Sequence, residues 1–300
     1  MAEIIKRTIA IGFFDGLHIG HAALLRKTIE RSAELGNTPA VLSFDVHPDT
    51  LVFNKEVPLI SDCAGREEII KRCFGIESVI FIHFNKHVMH MPWQEFADSI
   101  INELNAQWVV VGHDFTFGDR GEGTAEKLKA YCEEKGIGCD IIPAVMLDGR
   151  VVSSTYIRTL IESGDMEEAA RYLGHQHCLS DTVHSGYHIG TSLNAPTINM
   201  YFPDNVIVPK YGVYATKVVL PDGIEYPAVT NVGVRPTFEN DGRVSVESHI
   251  LNYSGNLYGT PVRVDFYTFL RDEKKFADFS ELSEQIRLDG KRALEYFTSA

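Results

Sequence analysis

Short apolar runs alternate with segments of helical spacing throughout the first half of this chain, and this alternation limits its fold more than any other feature. Helical spacing means that residues of one face recur every three or four positions, as Leu24, Leu25, Thr28 and Ile29 do. The runs that predict buried strands are Arg7–Phe13, Pro39–Phe44, Ser78–Phe84 and Trp108–Gly112. The segments that predict helices are Ala22–Leu35, Arg66–Phe74, Trp93–Leu104 and Thr124–Lys135. Strands separated by helices pair in parallel, and such sheets bind ligands beyond the carboxyl ends of their strands.

The pattern changes near Gly174–Asp181, where helical spacing gives way to short runs rich in Val, Tyr and Thr. The runs that predict strands there are Val206–Val208, Gly212–Val219, Tyr226–Val232, Val244–Leu251 and Val262–Leu270. Turn residues separate them, which is typical of an antiparallel barrel or sandwich. An amphipathic segment at Phe279–Phe297 predicts a closing helix. Because 300 residues is about twice a typical domain, we expect two domains, an α/β domain over 1–178 and a β-rich domain over 179–300.

Charge and composition exclude several classes of protein. Lys and Arg number 28 against 41 Asp and Glu, a net charge of −13, which argues against a protein that coats nucleic acid. We find no apolar run long enough to span a membrane. The five cysteines form no C-x-x-C pair, which favours a reducing compartment, and we expect a cytoplasmic monomer or weak homo-oligomer that binds small molecules.

The segment GFFDGLHIGH (12–21) lies where the first predicted strand becomes the first predicted helix. Its glycines, at 12, 16 and 20, would let the backbone approach a phosphate closely. The helix that follows would direct unpaired N–H groups and the positive end of its dipole to the same place. One histidine here would favour a structural role, but His18 and His21 are three residues apart and can face one anion. Together these features predict phosphate chemistry.

H-x-G-H at this position marks the nucleotidyltransferase superfamily, and the whole segment resembles the form found in bacterial bifunctional riboflavin kinase/FMN adenylyltransferases (FAD synthetases). Three further segments resemble motifs of that family in the same order: Ser43–Pro48 (SFDVHP), Val111–Gly118 (VGHDFTFG) and Val152–Arg158 (VSSTYIR). Val46 stands where the family has proline. The resemblance implies a Rossmann-like nucleotidyltransferase domain that transfers AMP from MgATP to FMN, giving FAD and pyrophosphate.

The resemblance also implies roles for individual residues of this domain. His18 and His21 would donate hydrogen bonds to the α-phosphate as negative charge grows there. The implied ATP-binding residues are Gly12, Phe13, Phe14, Asp15, Gly16, Gly20, Ser153, Ser154, Thr155 and Arg158. The implied flavin-binding residues are Phe44, His47, Pro48, Asp114, Phe115 and Phe117. Two alternatives stay open, since Ser153 or Ser154 is equally suited to cap a helix and the phenylalanines equally suited to a core.

The second domain is similar to the riboflavin kinase module, an antiparallel barrel with a terminal helix. In its segment 184–200 (HSGYHIGTSLNAPTINM), nucleotide-binding positions of the family fall on Gly186, Gly190 and Pro196. The resemblance implies that Thr197 and Asn199 coordinate Mg²⁺ and that Glu247 is the general base on the riboflavin 5′-hydroxyl.

This phosphate-binding segment also departs from the family. Thr191 replaces an arginine, Asn194 replaces a glycine, and Ser248 stands downstream for a threonine. Losing a guanidinium and a glycine beside phosphates would weaken nucleotide binding. We therefore expect an FMN adenylyltransferase first. The alternatives are a fully bifunctional enzyme that also phosphorylates riboflavin, and a flavin- or nucleotide-responsive binding protein.

Overall fold

A five-stranded parallel sheet forms the centre of the first half of the chain, as the computed structural model describes it for residues 5–184, 197–234 and 243–299. By its internal contacts the chain divides into two units, Met1–Ser154 and Thr155–Ala300. This division lies ahead of the predicted boundary between 178 and 179, because two helices that follow Ser153 belong to the second unit. The boundary at 178 stays a prediction.

Strand order in the first unit places the predicted binding loops at a reversal of the sheet. Its strands are β1 (Arg7–Ile11), β2 (Thr38–Phe44), β3 (Ser78–Ile82), β4 (Ala106–Gly112), β5 (Thr116–Phe117), β6 (Gly123–Thr124), β7 (Gly138–Ile142), β8 (Met146–Leu147) and β9 (Arg150–Val151). The main sheet has the order β3-β2-β1-β4-β7, with every pair parallel. The chain extends to one side of β1 through β2 and β3, then returns to the other side at β4. The two short antiparallel pairs, β5 with β6 and β8 with β9, follow the ends of β4 and β7.

Helices follow most of these strands. Their bounds are α1 (Ile19–Leu35), α2 (Pro48–Val52), α3 (Cys63–Phe74), α4 (Lys86–Met89), α5 (Trp93–Asp98, continued by a π-helical turn Ser99–Glu103), α6 (Ala125–Glu134), α7 (Ser154–Ser163) and α8 (Met166–Leu173). α1 buries Leu24, Leu25 and Thr28 against the sheet and ends at Gly36, whose φ of 62° is the left-handed cap that glycine favours. The four predicted strands and four predicted helices of this half are present, with ends shifted by a few residues. β7 and the short helices α2 and α4 were missed.

The second unit is built on one antiparallel sheet of six strands. These are β10 (His177–Thr182), β11 (Thr197–Tyr201), β12 (Gly212–Val219), β13 (Glu225–Val234), β14 (Val244–Ile250) and β15 (Pro261–Arg271), in the order β10-β15-β12-β13-β14-β11. A bridge between His184 and Asn199 brings the chain after β10 beside β11, so the edges of the sheet approach each other. The last helix, α9 (Phe279–Ser299), packs Ala293 against Ala215 and Leu251. The predicted α/β plus antiparallel β architecture with a terminal helix is confirmed.

Two sequence interpretations of this half were wrong at the level of strands. Val206–Val208 forms no strand, because this segment packs Val206 and Ile207 inward without pairing along its length. β10 and β11 were not predicted, since polar residues such as Ser180 and Asp181 break their apolar pattern. In the parts of the chain that the structure describes, no helix combines the length and apolar character needed to cross a membrane.

A histidine is buried in the core of the second unit. His177 is 2% exposed and packs against the rings of Phe202 and Phe266, with centroid distances of 6.5 and 5.8 Å. Its Nε2 is buried and makes no hydrogen bond within the described ranges. Burial, with a smaller effect of His175, lowers the pKa of His177 to about 3. The folded unit therefore holds this imidazole neutral over a pH range in which the unfolded chain takes up a proton.

We expect His177→Leu to remove part of the acid sensitivity of the second unit. Between the unfolded pKa near 6.5 and the folded value of about 3, protonation favours the unfolded state by about 1.4 kcal/mol per pH unit. From pH 7 to pH 4 the wild-type free energy of unfolding should fall by about 3 kcal/mol more than that of His177→Leu. Urea unfolding followed by far-UV circular dichroism measures this difference.

Two controls make the result specific to His177. His184→Gln changes an exposed histidine of the same unit and should keep the fall of about 3 kcal/mol that depends on His177. Both tryptophans, Trp93 and Trp108, lie in the first unit, so the tryptophan fluorescence transition should not respond to the His177 substitution. Equal pH dependence of His177→Leu and wild type would show that this histidine is not kept neutral by the fold.

Candidate active sites

A cavity of about 540 Å³ lies at the carboxyl ends of β1 and β4. The chain leaving β1 (Gly12–Phe14) and the chain leaving β4 (Gly112–Thr116) both line it. β1 and β4 are the neighbouring strands at which the order of the sheet reverses. Parallel sheets bind their ligands at this reversal, because the loops on either side diverge and leave a crevice.

Predicted ATP and flavin residues meet in this cavity. Those that line it are Gly12, Phe13, Phe14, His18, Gly20, His21, Phe44, His47, Pro48, Asp114, Phe115, Ser153 and Ser154. Asp15, Gly16 and Phe117 are not part of its lining. Thr155 and Arg158 belong to the second unit, on the helix α7 that Ser154 begins. Their roles as ATP contacts stay predictions.

The two histidines of H-x-G-H lie face to face at the start of α1. The rings of His18 and His21 are stacked with a centroid distance of 3.6 Å and an angle of 12°. His18 precedes the helix, and its Nδ1 accepts a hydrogen bond from the His21 backbone N–H at 3.2 Å. Because Nδ1 accepts, the proton of neutral His18 resides on Nε2. Gly20 makes this arrangement possible, since a Cβ there would lie 3.0 Å from the His18 ring.

His21 is held as a neutral ring in the free protein. Burial lowers its pKa well below 6.5, and electrostatic interactions with His18 and with the Arg66 guanidinium lower it further. Its Nδ1 is buried and has no hydrogen-bond partner within the described ranges. An anion in the cavity would oppose this shift, because an opposite charge within a few ångströms favours the protonated ring. The pair is therefore suited to a ligand with concentrated negative charge.

The turn between β1 and α1 is held in a strained conformation by its own residues. Phe14 and Leu17 have φ values of 59° and 46°, and Gly16 has 72°. Non-glycine residues in this region cost about 1–3 kcal/mol each and persist where the surroundings fix them. Asp15 supplies part of that fixation, since its Oδ1 accepts the backbone N–H groups of Ile60 and Ser61 at 2.8 and 3.1 Å.

These contacts give Asp15 and Gly16 roles that sequence reasoning did not predict. The Asp15 carboxylate is 2% exposed and satisfied by backbone amides. A Cβ on Gly16 would lie 2.8 Å from Ile60, and the Gly16 N–H donates to the Ser61 hydroxyl. Both residues therefore hold the turn in shape without lining the cavity. Ser154 also contacts this turn, because its hydroxyl donates to the Asp15 carbonyl at 3.0 Å.

Arg66 is a buried charged residue, bonded to this turn, that sequence reasoning did not single out. It is fully buried, and its Nη1 donates to the Phe13 carbonyl and to the Ser43 hydroxyl, each at 2.7 Å. A signal existed, because Arg66 lies three and four residues before Ile69 and Ile70 and so shares the apolar face of α3. A charged residue on such a face indicates a buried contact.

Four of the six predicted flavin residues line a second, aromatic cavity of about 620 Å³ beside the first, and the other two, His47 and Asp114, line only the first. Phe44, Pro48 and Phe115 line both cavities, and Phe117 lines the second only. Phe115 and Phe117 stack with a centroid distance of 5.2 Å. Phe44 and Phe117 are 7% and 8% exposed, so most of each ring belongs to the core. Their cavity-facing edges form an apolar surface suited to a flat ring system.

The polar residues predicted for the flavin lie at the edge of these cavities. His47 precedes α2, where its Nδ1 accepts the Asp49 N–H at 3.2 Å, and its ring meets Phe13 at 4.5 Å. The Asp114 side chain is 82% exposed, 3.9 Å from His113. Asp114 therefore has a carboxylate open to a ligand that enters the cavity.

The second unit has a cavity of about 300 Å³ on one face of its sheet. The residues that line it include Thr197, Asn231, Glu247, His249, Arg271 and Asp289. In the antiparallel register Asn199 lies opposite Glu247, and Thr197 lies opposite His249. Opposite residues, and residues two apart on one strand, share a face of the sheet. Thr197, Asn199 and Glu247 are thus brought to the same face, with Asn199 3% exposed.

Ser248, which stands where the family has threonine, lies on the opposite face of the sheet. Its hydroxyl is buried and bonds the Thr230 hydroxyl at 2.7 Å, which bonds Thr216 at 2.7 Å. Serine completes this chain of hydroxyls as threonine would. The position is therefore part of the core and does not meet the cavity.

An ion pair at the other side of this cavity was also missed by sequence reasoning. Arg271, at the end of β15, donates from Nη2 to Asp289 on α9 at 2.7 Å, and Gln285 donates to the same carboxylate at 2.8 Å. Asp289 is 1% exposed. The pair fixes the terminal helix against the sheet beside the cavity.

The donor set at Thr197 and Asn199 fits Mg²⁺ only together with a nucleotide. A hydroxyl and an amide oxygen are hard donors of the kind that Mg²⁺ accepts, and this ion usually completes its coordination with phosphates and water. Within the described ranges no three His, Cys, Asp or Glu side chains form a metal cluster. The predicted nucleotide residues Gly186, Gly190 and Pro196 lie outside the described residues, as do Thr191 and Asn194.

Comparison with known proteins divides the chain in the same way. The family model described as FAD synthetase matches residues 2–156, and the one described as riboflavin kinase matches residues 173–297. The first match contains the first three motifs of the first half and Val152–Tyr156 of the fourth, and the second match contains the six strands β10 to β15.

Relatives with both activities in their names are similar to nearly the whole chain. Each of the following is named a bifunctional riboflavin kinase/FMN adenylyltransferase. The protein of Bacillus subtilis is 32% identical, over 99% of this chain and 94% of its own length. That of Pseudomonas fluorescens is 34% identical, over 93% and 89%. That of Escherichia coli K12 is 30% identical, over 96% and 92%.

A solved structure is similar over almost the same extent. A crystal structure described as a macrolide-efflux protein from Streptococcus pneumoniae has a TM-score of 0.82 and 30% identity, covering 95% of this chain and 93% of that one. The description refers to that protein. The likeness supports the order of the two folds along the chain.

Proposed function

The chain belongs to the family of bifunctional riboflavin kinase/FMN adenylyltransferases, and from this premise we propose that its first unit transfers AMP from MgATP to FMN, giving FAD and pyrophosphate. The family resemblance that the four motifs indicated is thereby confirmed, and the chain is an FMN adenylyltransferase. The observation that carries the assignment of the site is the stacked pair His18 and His21, at the start of a helix and within the cavity at the sheet reversal.

The proposed reaction is a direct displacement at phosphorus. A phosphate oxygen of FMN attacks the α-phosphorus of ATP, the bond to the bridging oxygen of the β-phosphate breaks, and pyrophosphate leaves. No covalent enzyme intermediate is needed, so the protein contributes positioning and charge stabilisation. His18 Nε2–H and the His21 ring would donate to the α-phosphate oxygens, and the first N–H groups of α1 would add their partial positive charge.

The two cavities of the first unit suggest how the substrates divide the space. The cavity with the histidines, Ser153 and Ser154 would hold the triphosphate, and the aromatic cavity would hold the isoalloxazine ring. Phe44, Pro48 and Phe115, which line both, would lie where the FMN phosphate meets ATP. Asp114, at the rim, would accept hydrogen bonds from the flavin.

Riboflavin phosphorylation in the second unit is the second function that we propose. It is supported by the register of β11 and β14, which brings Thr197, Asn199 and Glu247 to one face of the sheet beside a cavity. Glu247 would take the proton of the 5′-hydroxyl, whose oxygen attacks the γ-phosphorus of ATP while ADP leaves. Thr197 and Asn199 would hold Mg²⁺ on the phosphates. The bifunctional names of the relatives favour this alternative over a kinase-inactive module.

Product analysis with each flavin separately tests both proposals. We expect FMN with MgATP to yield FAD and pyrophosphate, and riboflavin with MgATP to yield FMN followed by FAD. FAD from FMN but no product from riboflavin would leave an adenylyltransferase with an inactive second unit, as the altered 184–200 segment first suggested. No product from either flavin would favour the flavin-responsive binding protein.

All five cysteines are free thiols, which is consistent with the proposed cytoplasmic location.

A further inference from the structure

Arg66 presents a full positive charge behind the ATP-binding turn, held by acceptors that carry no full charge. Its guanidinium bonds the Phe13 carbonyl, the Ser43 hydroxyl, the Cys63 thiol at 3.3 Å and the Asp62 carbonyl at 3.4 Å. Burial raises the pKa of the Cys63 thiol, which keeps this acceptor neutral. The side chain is fully buried, and a guanidinium stays protonated in proteins.

A buried cation of this kind is costly, so a neutral residue would suit a purely structural role better. The Phe13 carbonyl would not lose all its hydrogen bonding without Arg66, because the Ser43 hydroxyl also donates to it at 2.8 Å. The guanidinium lies 4.3 Å from the centre of the Phe13 ring and 5.2 Å from that of Phe81, which stabilises a cation in particular. The surroundings thus preserve the charge.

The neighbouring acids do not neutralise this charge by direct pairing. Asp15 and Asp62 are near enough to stabilise it, but Asp15 Oδ1 accepts two backbone amides and Asp62 Oδ1 accepts the Gly65 amide at 2.8 Å. The Arg66 charge also acts on His21 of α1, which lines the cavity, and it helps to lower the pKa of His21.

We propose that Arg66 is a positioning residue of the adenylyl transfer site. Through its bond to the Phe13 carbonyl it fixes the turn, and its buried charge favours the negative charge that develops on the α-phosphate. The inference rests on the proposed function of the first unit. It assigns Arg66 no contact with substrate, because this side chain does not line the cavity.

Two substitutions separate the charge from the hydrogen bond. Arg66→Gln removes the charge and keeps an amide donor, whereas Arg66→Lys keeps the charge and loses the planar fork. We expect kcat/KM for ATP in FAD formation to fall about ten- to a hundred-fold in Arg66→Gln and only a few-fold in Arg66→Lys. In an NMR titration of the full-length protein, the pKa of the His21 ring should be higher in Arg66→Gln than in wild type, although burial still keeps it below 6.5, and it should be unchanged in Arg66→Lys.

The titration and the rate together determine the outcome. A merely structural Arg66 predicts equal losses in both variants and no change at His21, and that result overturns the proposal. Should Arg66→Gln not fold, Arg66→Lys alone decides, since a large loss of rate or a raised His21 pKa there contradicts a role of the charge. If wild type forms no FAD, the proposed function fails, while the His21 titration and calorimetric binding of a non-hydrolysable ATP analogue still test the electrostatic role.

Discussion

We expect His21→Ala to lower the rate of FAD formation from FMN and ATP by at least about a hundred-fold, because removing one well-placed donor to a developing negative charge typically costs about a hundred- to a thousand-fold. The alanine also removes the ring against which His18 stacks at 3.6 Å. His18 would then lose part of its own orientation, which makes the loss larger than that of a single hydrogen bond. Steady-state rates at saturating FMN and ATP, with pyrophosphate as the measured product, check this expectation.

The matched control is His87→Gln, which alters an exposed histidine of the same unit. We expect this variant to keep the wild-type rate and the same tryptophan fluorescence transition as His21→Ala. A near-normal rate in His21→Ala would contradict the assignment of the site. An unchanged fluorescence transition in His21→Ala shows that the loss of rate does not come from unfolding of the first unit.

The position of the first site could be predicted from the sequence because its signals are local. Strand, glycine turn and helix follow one another within 7–35, and a parallel sheet directs the ends of its strands to one edge. His18, His21 and Phe115 therefore meet in one cavity, although almost 100 residues separate the second from the third. The order of the motifs was sufficient to place them together.

The supporting contacts could not be predicted in this way. The sequence cannot distinguish an Asp15 that binds ATP from one that accepts the backbone amides of Ile60 and Ser61. The role of Asp15 depends on how a loop 45 residues away packs against it. Arg66 is the first residue of the predicted helix Arg66–Phe74, and no role was predicted for it. In the structure α3 begins three residues earlier, at Cys63, and the Arg66 side chain is buried. Such roles depend on contacts between segments distant in sequence.

Glu247 illustrates the same limit in the second unit. The family resemblance implied that Glu247 is a general base. The sequence did not identify the residues that lie next to Glu247, because β11 was not predicted as a strand. The register of β11 and β14 sets Asn199 opposite Glu247, and that of β13 sets Asn231 on its other side. The carboxylate therefore lies between two amide side chains on the cavity face, where a hydroxyl and a nucleotide-bound cation could both be reached.

We expect Glu247→Gln to lower riboflavin phosphorylation by about a hundred- to ten-thousand-fold, the usual contribution of a positioned base. Glutamine keeps the size of the side chain and its hydrogen bonding but accepts no proton, so the 5′-hydroxyl must lose its proton to water. Formation of FMN from riboflavin and MgATP, followed by chromatography, measures the loss. The KM for riboflavin should change much less than kcat, since the glutamine still fills the same place in the cavity.

Glu225→Gln is the matched control, because it makes the same substitution at an exposed acid of the same sheet that pairs with Lys217 at 2.9 Å. It should phosphorylate riboflavin as wild type does. FAD formation from added FMN in Glu247→Gln reports that the first unit is intact. If Glu247→Gln keeps the wild-type phosphorylation rate, proton removal is not its role, and the carboxylate is then best explained as a hydrogen-bonding partner of the amides across β11 and β13, with the attacking hydroxyl losing its proton to the γ-phosphate itself.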